Sequence, residues 1–120
     1  MSEYCPDKWL VIKLNYDTGS HYRVFGSWYG GYLGSDSWRM NSGIVSVTED
    51  DNCYYFKGTS GSTYTCHKNC YGASGYGTRV LEDMIDKQRE LYQTEIDILA
   101  DSTNFITLDY KDTYGTRSSV

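Results

Sequence analysis

Apolar residues crowd one short stretch near the start of the chain and then alternate with polar ones through most of its remaining length. Trp9-Leu10-Val11-Ile12-Lys13-Leu14 is apolar at nearly every position, the pattern of a strand covered on both faces and therefore central in a sheet. Residues 15–20 carry turn chemistry in Asp17 and Gly19. A second strand over 22–27 returns antiparallel, and Trp38-Arg39-Met40 begins a short third. Residues 29–37, between them, are rich in glycine and predict an ordered loop. Ile44-Val45-Ser46-Val47 alternates as a half-buried strand, with Glu49-Asp50-Asp51-Asn52 as its turn. Segments 53–57 and 63–67 read as a hairpin around Gly58-Thr59-Ser60-Gly61. In that register Cys53 falls opposite Cys66, and sliding the turn by one residue breaks the pairing.

Beyond a glycine- and tyrosine-rich connection over 68–77, the period lengthens to that of a helix, from about Thr78 to Ala100. Thr78 is the expected N-cap, with Glu82 and Asp83 in the first turn, where the helix dipole favours negative charge. Asp83 and Lys87 are spaced as a supporting i,i+4 pair. Met84, Leu91 and Ile98 recur every seven residues, as do Ile85, Tyr92 and Leu99. Such a stripe packs on the sheet or forms a helix–helix seam in a homodimer, and the two can coexist. Phe105-Ile106-Thr107-Leu108-Asp109-Tyr110 alternates like a late edge strand. Residues 1–7 and 111–120 are expected as flexible termini. The pattern as a whole predicts one α+β domain over 1–120, an antiparallel sheet of five to six strands packed on one long C-terminal helix.

Composition changes this picture in one respect. Thirteen tyrosines and three tryptophans are interleaved with twelve glycines, while hydrophobic residues make up only 39%. Tyrosine and tryptophan pair a flat apolar face with a polar handle and suit half-wet recognition surfaces. The formal charge of −5 argues against coating a polynucleotide, which needs many cations on one face. It leaves room for a small anion held by two or three arginines. The N-terminus lacks the basic and apolar regions of a signal peptide, and no apolar run approaches the ~20 residues that cross a bilayer. The expectation is a cytoplasmic protein with reduced thiols and no membrane partner.

Candidate chemistry is sparse. Cys53, Cys66, His67 and Cys70 have zinc-ligand character, but Cys66 and His67 are adjacent and point to opposite faces if both lie on a strand. The other readings are ordinary thiols, or a Cys53–Cys66 disulfide if the protein is exported; Cys5 has no evident partner. Cys70 and His67 make a nucleophile pair on paper, without an oxyanion element or an orienting acid. No enzyme and no cofactor is expected.

Binding chemistry is better represented. Gly72-Ala73-Ser74-Gly75-Tyr76-Gly77-Thr78-Arg79 runs a glycine-rich loop into a helix start, which presents free N–H groups to an anion. It lacks the G-K-[ST] ending of a Walker loop, and an ordinary loop with a helix cap is the plainer reading. Arg39, beside Trp38, suits stacking on a base while bonding a phosphate. The candidate ligand site is therefore Tyr29, Tyr32, Trp38 and Arg39, meeting Lys68, Tyr76 and Arg79. Against it stands Trp38 as a core residue.

Two stretches, Gly26-Ser27-Trp28-Tyr29-Gly30-Gly31-Tyr32-Leu33-Gly34-Ser35-Asp36-Ser37-Trp38-Arg39 and Gly61-Ser62-Thr63-Tyr64-Thr65-Cys66-His67-Lys68, resemble small proteins encoded by tailed bacteriophages. In length and in the order of sheet first, long helix late, the chain is similar to the anti-Thoeris sponge proteins. That resemblance implies a homo-oligomer that sequesters a cyclic nucleotide immune signal without degrading it. Those proteins use two C-terminal helices where one is read here, and no ligand-contacting residue carries across by position. A protein–protein inhibitor of host defence and a glycan-binding virion accessory module are the alternatives, since Tyr/Ser/Gly-rich loops also serve as paratopes and sugar platforms.

Overall fold

Strand β2 (Lys8–Tyr16) is the keel of the molecule, and its side chains are covered on both sides. Leu10, Ile12 and Leu14 point one way and Trp9 and Val11 the other, so the strand feeds two separate cores. The computed structural model describes residues 3–16, 19–30 and 34–110. Within them β3 (Gly19–Trp28) pairs antiparallel with β2 along its length, β4 (Ser37–Met40) pairs with β3, and β8 (Glu95–Ile98) takes the other edge of β2. This sheet, in the order β4-β3-β2-β8, is layered between a second sheet and the helix α1 (Gly75–Tyr92). The second sheet, in the order β1-β7-β6-β5, joins β5 (Ile44–Glu49), β6 (Cys53–Gly58) and β7 (Thr63–His67) antiparallel and adds β1 (Glu3–Tyr4) in parallel. The α+β class agrees with expectation, and among the described residues α1 is the one α-helix. The strands are shared between two four-stranded sheets where the sequence pattern predicted one of five or six.

Trp9, Val11, Val24, Ile44, Phe56, Tyr64, Cys66 and Phe105 fill the space between the sheets. Leu10, Ile12, Leu14, Phe25 and Ile96 meet Leu81 of the helix on the other side. Aromatics fill much of the core between the sheets, whereas the core under the helix is aliphatic apart from Phe25. Phe105 lies 5.4–5.9 Å from the ring centres of Tyr54, Trp9, Tyr71 and Phe56. It comes from a segment with no strand: 105–110, expected as an edge strand, runs through turns and plugs the gap between the sheets.

The helix departs from expectation at both ends. It starts at Gly75 because Ser74, not Thr78, is the N-cap, its hydroxyl accepting the Gly77 N–H at 3.0 Å. Glu82 and Asp83 therefore lie beyond the first turn, although Lys87 and Asp83 do pair at 3.1 Å. It stops at Tyr92 because Gln93 takes the left-handed conformation, φ 54°. Residues 95–98, expected as helix, become β8. The sevenfold stripe is thus not one seam: Met84 and Ile85 pack on the sheet, Leu91 and Tyr92 are exposed, and Ile98 belongs to a strand. Among the described residues no helix is long and apolar enough to cross a membrane.

Two other expectations are revised. The hairpin loop takes in Ser62, whose carbonyl accepts the Gly58 N–H at 2.9 Å, and Gly61 supplies the positive φ of 91°. Cys53 consequently pairs with His67 and Tyr54 with Cys66. Residues 3–7, expected as a flexible terminus, are tied in by β1, by buried Pro6 and by the Asp7 N–H donating to Ser27 O at 2.9 Å. The other expected flexible terminus, 111–120, lies outside the described residues.

Candidate ligand-binding site

Strand alternation divides the expected site. On β4, Ser27 faces Trp38 and Gly26 faces Arg39, so the two side chains leave opposite faces of the sheet. Trp38 is on the helix side, stacked on Phe25 at 5.5 Å with 17° between planes and still 40% exposed. Arg39 is on the other side, its guanidinium 4.6 Å over the Tyr4 ring, in a cluster that continues to Trp28 and Tyr64. Trp38 and Arg39 therefore do not form one clamp.

Phe25 links Trp38 to the helix. Its ring also lies against Gly77, where an added Cβ would stand 3.5 Å from it. The first turns of α1 are thereby seated beside the Phe25–Trp38 stack. Tyr76, Arg79, Val80 and Asp83, spaced to share one face of the same helix, line a shallow hollow of about 510 Å³. Arg79 takes part in none of the ion pairs among the described residues. β4 and the start of α1 thus both pack on Phe25, Trp38 by stacking and Gly77 by close approach.

Lys68 is committed elsewhere. Its ammonium sits 2.6 Å from Glu49 Oε1 and 5.0 Å over the Tyr54 ring, and the Glu49 hydrogen bond raises its pKa. Tyr29 is 56% exposed beyond β3, with its N–H donating to Asp7 Oδ2 at 2.8 Å. Tyr32 lies outside the described residues. Of the seven predicted residues, Trp38, Tyr76 and Arg79 share the helix side. Phe25, Val80 and Asp83 were missed there, although the alternation of β3 and the i,i+3/i+4 spacing from Tyr76 were both available to place them.

The thiols also rearrange. All four cysteines are free. Cys66 faces the core between the sheets, where burial pushes its thiol well up, while Cys53 and His67 share the outer face of the β1-β7-β6-β5 sheet. The four-residue zinc set is thereby divided, and among the described residues no three His, Cys, Asp or Glu side chains are arranged to hold a metal ion. Cys70 contacts Asn69 Oδ1 at 3.5 Å, whereas the partner of His67 is Cys53, Sγ to Nδ1 3.4 Å. Beside them the Asp50 carboxylate accepts the Tyr55 hydroxyl at 2.5 Å and the N–H groups of Asn52 and Cys53 at 2.9 and 2.8 Å. These bonds, the Tyr55 one foremost, hold the Asp50 carboxyl below its usual range and push Tyr55 up to about 12. Local burial, and then the Asp50 charge, raise the Cys53 thiol.

No protein-family model matches this chain, and comparison with curated proteins and with solved structures likewise returned no match.

Proposed function

We propose that this protein is a non-catalytic binding protein for a small anionic aromatic ligand of the nucleotide class, with a cyclic nucleotide immune signal as the specific form that the phage resemblance implies. The observation that carries the reading is the exposed Phe25–Trp38 stack, on which α1 is seated at Gly77, together with the hollow that Tyr76, Arg79 and Val80 line on that helix. An exposed indole on a rigid aromatic support offers a base a stacking surface worth about 1–3 kcal/mol. An arginine outside the ion pairs found among the described residues offers the phosphate a fork of donors. The raised Cys53 thiol supports binding over nucleophilic chemistry. The same reading has the chain working in the cytoplasm as a homo-oligomer, through the exposed Leu91–Tyr92 end of α1.

The test is a thermal-shift panel of cyclic nucleotides, mononucleotides and oligosaccharides. Ligand at about 100 times its dissociation constant adds about 2.7 kcal/mol. A nucleotide stabilises the wild type, Trp38→Ala and Arg79→Ala lose that response, and Arg39→Ala, on the opposite face, keeps it. A full response in both Trp38→Ala and Arg79→Ala removes the site. A response to oligosaccharides alone replaces the nucleotide by a glycan, and no response to any small molecule favours a protein partner.

A further inference from the structure

The strand face that carries Phe25 holds a cation that the sequence reading passed over. His21, Arg23 and Phe25 of β3 stand opposite Leu14, Ile12 and Leu10 of β2, so all three lie on the α1 side of the sheet. Met40 and Trp38 of β4 stand opposite Phe25 and Ser27 on that same face. The Arg23 Nε–H donates to His21 Nε2 at 3.0 Å, and Nη1 lies 3.9 Å from the Met40 sulfur. His21 is in turn stacked on Tyr16, with ring centres 5.3 Å apart. One row thus runs from Trp38 through Phe25 and Met40 to Arg23, along a margin where Trp38 stays 40% exposed and Arg23 is half-buried.

Charge, order and spacing fit this arginine to a phosphate. It takes part in none of the ion pairs among the described residues. The bond to His21 occupies one donor of the guanidinium and holds the planar group, so less freedom is lost when its Nη groups bind an anion. Arg23 is two positions along β3 from Phe25, about 6.8 Å at the rise of an antiparallel strand. One ribose separates a base from its phosphate by a similar reach. Arg79 is tied to the stack only through Gly77 of its helix, whereas Arg23 stands on the stack's own sheet face.

We infer that Arg23 is a specificity-determining residue of the Trp38 stack. Its guanidinium receives the phosphate of a nucleotide whose base lies on the indole, so the site takes the nucleotide and discriminates against the nucleoside. The inference rests on the nucleotide reading of this stack and adds to it the group that recognises the charge. His21 is a positioning residue, acting through Arg23. Arg39 does not share the task, because it leaves the other face of β4.

The experiment is a calorimetric titration of the full chain with cyclic AMP and cyclic GMP, each beside its parent nucleoside, with circular dichroism to verify the fold of each variant. The wild type binds one of the cyclic nucleotides at least about tenfold more tightly than its nucleoside. Arg23→Gln loses that preference and keeps the nucleoside affinity. Arg39→Gln, the same change of charge on the opposite face, keeps both, and Trp38→Ala weakens both. The wild type gives a second readout that needs no variant to fold: the Arg23 Nε–H resonance shifts on adding the cyclic nucleotide and stays in place with the nucleoside. A cyclic nucleotide affinity that Trp38→Ala abolishes and Arg23→Gln leaves unchanged, or an Arg23 resonance unmoved at saturation, overturns this inference and leaves the nucleotide reading standing. A wild type that binds none of the four compounds overturns both.

Discussion

At the scale of single residues, backbone direction and register decide what a side chain can do. Trp38 and Arg39 are neighbours in the chain and strangers in space, because a strand sends successive side chains to opposite faces. That separation was available from the sequence as soon as 38–40 was read as a strand. Gln93 makes the complementary point. It is the only non-glycine with positive φ among the described residues, at 54°, and it ends α1 with its N–H donating to Arg89 O at 3.2 Å. The left-handed conformation costs a residue with a Cβ about 1–2 kcal/mol, whereas glycine adopts it freely but gives up more entropy on folding. Gln93→Gly is therefore expected to stabilise the protein by about 0.5–1 kcal/mol, read as a higher denaturant midpoint at unchanged slope. A lower midpoint would mean that the glutamine side chain contributes more than the strain it carries.

At the scale of elements, the helix was legible and its ends were not. Met84 and Ile85 of the expected stripe pack on the sheet, together with Leu81, which the sevenfold reading left out. The heptad-like continuation to Ile98 arose by coincidence of spacing, since Glu95-Ile96-Asp97-Ile98 fits a strand's alternation as well as a helix's period. What decided between them was the unpaired edge of β2, on which Ile12 and Leu14 accept Ile98 and Ile96 as partners. Leu91, 68% exposed on the last helical turn, is left with nothing to cover it among the described residues. If a second copy covers it, the wild type sediments as a dimer at micromolar concentration and Leu91→Glu as a monomer. The substitution should leave the melting of the isolated fold nearly unchanged, because an exposed site away from the core is worth within about 0.5 kcal/mol. A monomeric wild type ends the homo-oligomer reading.

At the scale of the whole molecule, an aromatic-rich interior ties stability to the protonation of tyrosine. Burial pushes Tyr64 and Tyr71 up to about 12 and raises Tyr110 as well, while the Asp50 hydrogen bond takes Tyr55 to about 12. The unfolded chain ionises its tyrosines near 10. Below that pH both states keep these protons and the stabilisation is fully present. Between about 10 and about 12 the unfolded state has lost protons that the folded state retains, so stability falls as pH rises. Denaturant unfolding at stepped pH should show that decline, and tyrosinate absorbance of the native protein should show these hydroxyls resisting titration until the fold gives way. A stability that stays level through this window would place the four hydroxyls in contact with water.

Local pattern alone determined that strands run through 9–14, 22–27, 38–40, 44–47, 53–57 and 63–67, and that one long helix comes after them. Alternation and helical period are properties of consecutive residues, so no distant partner is needed to read them. Tertiary structure decided the rest: two sheets in place of one, His67 and not Cys66 opposite Cys53, Phe105 as a plug, and residues 95–98 as an edge strand. Each of these is a choice between conformations that the local chain tolerates about equally. The free energy that separates them comes from apolar surface removed from water against segments far away in sequence. Trp9 illustrates the point, since its neighbours in the core are Tyr54, Phe56, Tyr71 and Phe105, none of them within forty positions of it.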